Sequence, residues 1–125
     1  DNKHDIYIDK QLRLIVVNKS DGATIGAVDL YDFEPFHRRA GVGILIDSNY
    51  RGQGYGLMAL RIVEEYAFNF LNLKQLYAMI PENNKGSIEL FTKAEYTHTG
   101  NLSNWLSKGN SFESVLVMQK INKRV

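Results

Sequence analysis

The sequence contains no cysteine. That absence excludes disulfides, thiolate metal sites and a cysteine nucleophile, and it suits a reducing cytosol. An excess of one charge is missing too: 15 Lys and Arg stand against 14 Asp and Glu, a formal net charge of +1. No global field points to nucleic acid or to an anionic membrane, so partners have to be read from local sites. No uncharged apolar run reaches the ~18 residues of a membrane span, and no signal peptide is recognisable. Repeats and low-complexity segments are also lacking.

What is present suits one domain over residues 1–125: 44% of the residues are hydrophobic and 11% aromatic, enough to bury a core. A start at Asp1 without methionine reads as a fragment of a longer chain. LRLIVV (12–17) and ATIGAVDLYDF (23–33) are rich in β-branched residues and flank NKSDG, whose Asn, Asp and Gly supply turn conformations, so the two read as a hairpin. After EPFHRR (34–39), GVGILID (41–47) is apolar at consecutive positions, the mark of a central strand covered on both faces. From Leu57 to Leu73, Leu60, Val63, Ala67 and Phe70 recur at helical spacing. QLYAMI (75–80) follows as a strand, and a right-handed strand–helix–strand crossover makes it parallel to 41–47. Pro81 ends it. Asn83 or Asn84 caps a short helix to about Lys93. Thr97 to Asn110 reads as a polar loop, SFESVLVMQKI (111–121) as a last strand, and KINKRV as a solvated basic tail.

YRGQGYG (50–56) lies between the central strand and its crossover helix, an entropically costly way to start a helix. There, unpaired amides and the positive end of the helix dipole converge, and small residues let an anion approach the backbone. A P-loop would need GxxxxGK followed by Ser or Thr, and a dinucleotide site GxGxxG; Gly52, Gly54 and Gly56 match neither spacing.

The segment Arg51-Gly52-Gln53-Gly54-Tyr55-Gly56 instead resembles the pyrophosphate loop of GNAT-type N-acetyltransferases, [Q/R]-x-x-G-x-[G/A] between a strand and a helix. The resemblance runs from about Leu12 to Ile121. The tract VDLYDFEPFHRRAGVGILIDSNYRGQGYG is similar to the branch containing spermidine acetyltransferases and ribosomal-protein N-terminal acetyltransferases. It implies an α/β fold with a mixed, mainly antiparallel twisted sheet flanked by helices, here without the family's usual first strand and one or two helices. It also implies acetyl-CoA as cosubstrate, with no metal. The amides of Arg51, Gly52, Gln53, Gly54, Tyr55 and Gly56 would hold the pyrophosphate, with Arg51 adding charge. The backbone of Leu45 and Ile46 would bond the pantetheine arm in a gap between splayed strands, and Asn84 and Ser87 would line it; both also suit a plain helix cap.

The implied reaction transfers acetyl directly to a primary amine: a polyamine, a protein N-terminus, an amino sugar or an antibiotic amine. The ammonium must lose a proton and the leaving thiolate must gain one or be stabilised. Asp29, Asp32, Glu34 and His37 precede the central strand as candidate bases, with Asp32 and Glu34 the expected catalytic pair. Regular strand alternation would put Asp29 and Asp32 on opposite faces. Where many family members carry a tyrosine that can protonate the sulfur, this chain has Phe91, so Ser87, Tyr96 or water would act, or protonation goes unassisted. A coenzyme A binding module without catalysis is the alternative. A nucleic-acid domain built on His37-Arg38-Arg39 ranks last, since no aromatic platform accompanies those residues. An open sheet face in a short chain would call for a partner subunit, a homodimer or larger homo-oligomer, in which Trp105 could take part.

Overall fold

Asp5 opens the described part of the chain, which in this computed structural model runs from residue 5 to residue 125. Its carboxylate accepts the Tyr7 N–H at 2.9 Å and caps a one-turn helix, α1 (Ile6–Asp9), which the sequence reading did not anticipate. The hairpin follows as β1 (Leu12–Val17) and β2 (Thr24–Glu34), paired antiparallel from Leu12↔Leu30 to Val17↔Thr24. Strand alternation turns Val28 and Leu30 into the core while Ala27 and Asp29 face the other way.

The central strand β3 (Arg39–Ile46) pairs antiparallel with β2, and its crossover partner β4 (Gln75–Pro81) lies parallel to it. The crossover helix α2 (Tyr55–Glu65) begins on the glycine loop, and α3 (Lys85–Lys93) is capped by Asn84. The strands β5 (Thr97–Ser107) and β6 (Phe112–Ile121) complete a six-stranded sheet of order β1-β2-β3-β4-β6-β5. Among the described strands only β3 and β4 run parallel, so the sheet is mixed and mainly antiparallel. Ala59, Leu60 and Val63 of α2 and Phe91 and Ala94 at α3 pack with Val28, Leu30, Val42, Leu76, Ala78 and Met118 of the sheet. Leu60 is wholly buried, an environment worth about 2 kcal/mol for such a side chain. No described helix is long and apolar enough to cross a membrane.

Four readings need correction. The polar stretch 97–110 is mostly strand: β5 is an edge strand with one neighbour, so both of its faces tolerate polar residues, and Trp105 on it is 57% exposed. The helix after Leu57 changes to a π turn at Tyr66–Phe70, where Leu71 N–H reaches Tyr66 C=O at 3.0 Å. The extra residue in that turn shifts the helical phase, so Leu71 is buried and Phe70 is 72% exposed. The basic end is not simply solvated: Lys120 donates to Glu64 Oε1 and to Ala94 C=O, each at 2.9 Å, and Asn122 is buried against Leu73 C=O at 3.0 Å. Finally, β3 is central in the sheet, yet Leu45 is 67% exposed, so the far end of the strand is open on the face turned away from the core.

Candidate functional site

β3 and β4 share only three rungs, Arg39↔Gln75, Ala40↔Leu76 and Gly41↔Tyr77. Beyond Gly41 and Tyr77 both strands continue unpaired with each other, which leaves a gap between them. The register says which backbone groups face it. Asp47 N–H donates to Ile25 C=O at 2.7 Å, so the odd-numbered residues of β3 bond to β2, and Val42, Ile44 and Ile46 turn their backbone groups to the gap. Glu82 N–H donates to Ser114 C=O at 3.0 Å, which assigns the even-numbered residues of β4 to β6 and leaves Met79 facing the gap. Leu45 therefore offers a side chain, whereas Ile44 and Ile46 offer backbone.

At the open end of the gap lies a cleft of about 500 Å³. Leu45, Ile46, Arg51, Gly52, Gly54, Tyr55, Gly56, Asn84 and Ser87 all line it, and so do Ile44, Tyr50, Leu57, Gly86, Glu89, Leu90 and Lys93. Gln53 is not in the wall; its amide donates to Asn49 C=O at 3.3 Å and braces the loop. Gly52 and Gly54 have φ of +75° and +85°, the left-handed region that glycine enters without steric cost. At Gly56 the reason is space, since a Cβ there would lie 3.1 Å from Leu90 Cδ2, where α2 meets α3. No side chain caps α2, and the amides of Tyr55, Gly56 and Leu57 find no partner among the described residues. These donors at the positive end of an 11-residue helix suit an anion. Arg51 folds back, its Nε donating to Ile46 C=O at 3.1 Å, so its charge stays beside the loop. Asn84 Oδ1 accepts the Ser87 N–H at 3.2 Å as a helix cap while both residues border the cleft.

The opposite end of the gap is aromatic and acidic. β2 carries a bulge between Tyr31 and Glu34, with Asp32 at φ +49°. The extra residue breaks the alternation, so Asp32 lies with Tyr31 and Tyr77 and electrostatically raises the pKa of both phenols. Burial, the larger cause, pushes Tyr31 up to about 12. The expected opposition of Asp29 and Asp32 thus fails for want of a regular strand. Asp29 is in any case engaged, its two oxygens accepting from Arg13 at 2.7 and 2.9 Å. Glu34 accepts the Phe36 N–H at 3.1 Å and braces its own loop, while His37 stands exposed with its ring edge-on to Phe36. Arg38 donates to Asn72 C=O at 2.9 and 2.7 Å.

Phe91 is 2% exposed and packs edge-to-face on Tyr96, so it offers neither a proton nor access. Burial raises the pKa of the Tyr96 phenol, the charge of Glu64 adding to it, and the phenol lines no part of the cleft. Of the alternative donors in the sequence, only Ser87 borders the cleft. A larger hollow of about 780 Å³ beside Arg61, Glu95, Gln119 and Arg124 gathers none of the expected residues. No group of three or more His, Cys, Asp or Glu able to hold a metal ion occurs among the described residues. The α3 lining was open to inference, because Gly86, Leu90 and Lys93 follow one helical face. Tyr31 and Tyr77 were missed; a tyrosine alternating with core residues on a strand carried the signal.

A family model described as an acetyltransferase (GNAT) domain matches residues 3–97. The chain belongs to the GNAT acetyltransferase family. It is 31% identical over 99 residues to a spermidine N(1)-acetyltransferase of Escherichia coli, covering 79% of this chain and 53% of the relative. A probable N-acetyltransferase of Bacillus subtilis is 29% identical over 93 residues, 74% of this chain and 51% of that one. The chain thus spans about half the length of the curated relatives it matches. Among solved structures, a spermidine N-acetyltransferase mutant from Vibrio cholerae superposes with a TM-score of 0.87 at 24% identity, covering 98% of this chain and 72% of that one. A dodecameric form of the Vibrio enzyme gives 0.86 over 98% of this chain and 71% of its own. At that identity the structures establish the GNAT fold.

Proposed function

We propose that this GNAT domain binds acetyl-CoA and transfers its acetyl group to a primary amine, with a polyamine as the acceptor class. The observation that carries the reading is the meeting, in one cleft, of a glycine loop with unpartnered amides and the open β3/β4 gap. The amides of residues 52–57, with Arg51 and Lys93 nearby, hold the pyrophosphate. The gap-facing backbone of Ile44 and Ile46 pairs with the pantetheine arm, and the thioester comes to rest toward Gly41 and Tyr77. Residues 1–125 act as a single domain.

Asp32 faces this end of the gap as an exposed carboxylate beside two phenols. It draws in the ammonium and takes one proton from it. The free amine nitrogen attacks the carbonyl carbon, the C–N bond forms and the C–S bond breaks. The nitrogen sheds a second proton to solvent, and the thiolate takes one up from water. Glu34, tied to its own loop, is no longer the choice for base. The likeness to spermidine N-acetyltransferases supports a polyamine, and the dodecameric Vibrio relative, with Ile15 and Val17 exposed here, supports a homo-oligomer.

The test is turnover: acetyl-CoA with spermidine, a peptide N-terminus and an amino sugar, following free thiol and acetylated product. Thiol release dependent on spermidine is expected. Binding of acetyl-CoA without turnover of any amine would contradict the assignment.

A further inference from the structure

Gly41 and Gly43 occupy alternate positions on the face of β3 that looks away from the helices, and the Tyr31 ring lies over both. A Cβ at Gly41 would overlap that ring, and one at Gly43 would sit 3.9 Å from Tyr31 Cε1. The ring crosses β3 from its neighbour β2 toward β4. Gly41 and Tyr77 form the last rung between β3 and β4, so the ring stands where the strands part. Tyr77 braces it edge-on, ring centroids 6.2 Å apart. Two glycines in place of side chains make room for one large, half-buried ring that forms the end wall of the gap.

We infer that Tyr31 sets the length of acyl chain that the domain accepts, its ring closing the gap so that an acetyl thioester fits and longer acyl groups collide. This rests on the reading that an acyl-CoA lies in the gap with its thioester toward Gly41. A rigid aromatic wall held between glycine backbone and Tyr77 has little freedom to yield, and one additional methylene against such a wall commonly changes specificity by roughly 10- to 200-fold.

The experiment compares kcat/KM for acetyl-, propionyl- and butyryl-CoA with spermidine in the wild type, Tyr31→Phe and Tyr31→Val, each checked for folding by circular dichroism. The wild type should prefer acetyl over propionyl by roughly tenfold or more. Tyr31→Phe keeps the ring and should keep that ratio, whatever its effect on rate. Tyr31→Val, β-branched and suited to a strand, should raise propionyl relative to acetyl by about tenfold or more. A wild type that uses butyryl-CoA as well as acetyl-CoA, or a folded Tyr31→Val with the wild-type ratio, overturns the assignment. If acyl-CoA binds but no amine turns over, the transferase reading fails by itself. The same ratios are then read from dissociation constants, and equal affinities for acetyl- and butyryl-CoA overturn the role of Tyr31. A chain that binds no acyl-CoA overturns both.

Discussion

Asp32 combines a left-handed backbone, a bulge and proximity to two phenols, and each bears on what a substitution there does. Asparagine also accepts φ near +50°, so Asp32→Asn removes charge without disturbing the bulge. Steady-state kinetics should show kcat/KM for the amine falling by about 10²- to 10⁴-fold with acetyl-CoA affinity retained. An unchanged kcat/KM would remove Asp32 from the reaction. At this scale the sequence was readable where local chemistry decides: Asn at a helix start pointed to the cap that Asn84 makes, whereas the positive φ of Gly52 and Gly54 was not read from the glycine spacing. It was unreadable where a one-residue irregularity decides, because nothing in VDLYDFE announces that Tyr31 and Asp32 will share a face.

Between elements, the connection of β6 to α2 runs through a polar cluster inside an apolar layer. Lys120 and Glu64 are paired at 2.9 Å with side chains 19% and 8% exposed, and Lys120 Nζ lies 5.7 Å from the centre of the Tyr96 ring. Lys120→Met leaves Glu64 buried without its cation and should cost about 3–5 kcal/mol in denaturant unfolding, while adding Glu64→Leu should recover most of the loss. A single variant as stable as the wild type would mean that the pair contributes nothing. A second tie sets the start of α3: Glu113 accepts from Lys108 Nζ at 2.9 Å and from the Asn83 N–H at 3.1 Å, bonds that hold its carboxyl below the ordinary 4.5. A carboxyl lowered on folding contributes stability above its unfolded pKa and loses it as pH falls through the folded value. Urea midpoints should therefore drop less between neutrality and pH ~3 in Glu113→Gln than in the wild type, and equal drops would contradict the assignment. β-Branched runs around a turn located β1 and β2, a consecutive apolar run β3, helical spacing α2, and an Asn cap α3. These signals missed β5, whose polar residues satisfy an edge, and the π turn, which shifts the helical phase and buries Leu71.

For the molecule as a whole, one arrangement organises everything else: two parallel strands that pair for three rungs and then separate, with a helix starting at the mouth of the gap. The crossover was legible because a strand–helix–strand pattern has few chiral solutions. The extent of the separation was not, since it depends on what lies between the strands. The central claim is that this gap and the glycine loop together form an acyl-CoA site. Calorimetric titration of acetyl-CoA into the wild type and Gly54→Asp tests it most directly, because aspartate tolerates the left-handed backbone at Gly54 and adds a carboxylate where the pyrophosphate is to be held. Saturable binding by the wild type and at least about a tenfold loss in a folded Gly54→Asp, the 1.4 kcal/mol expected of one misplaced charge, is the predicted result. Equal affinity in the two proteins, or no binding by the folded wild type, would contradict it.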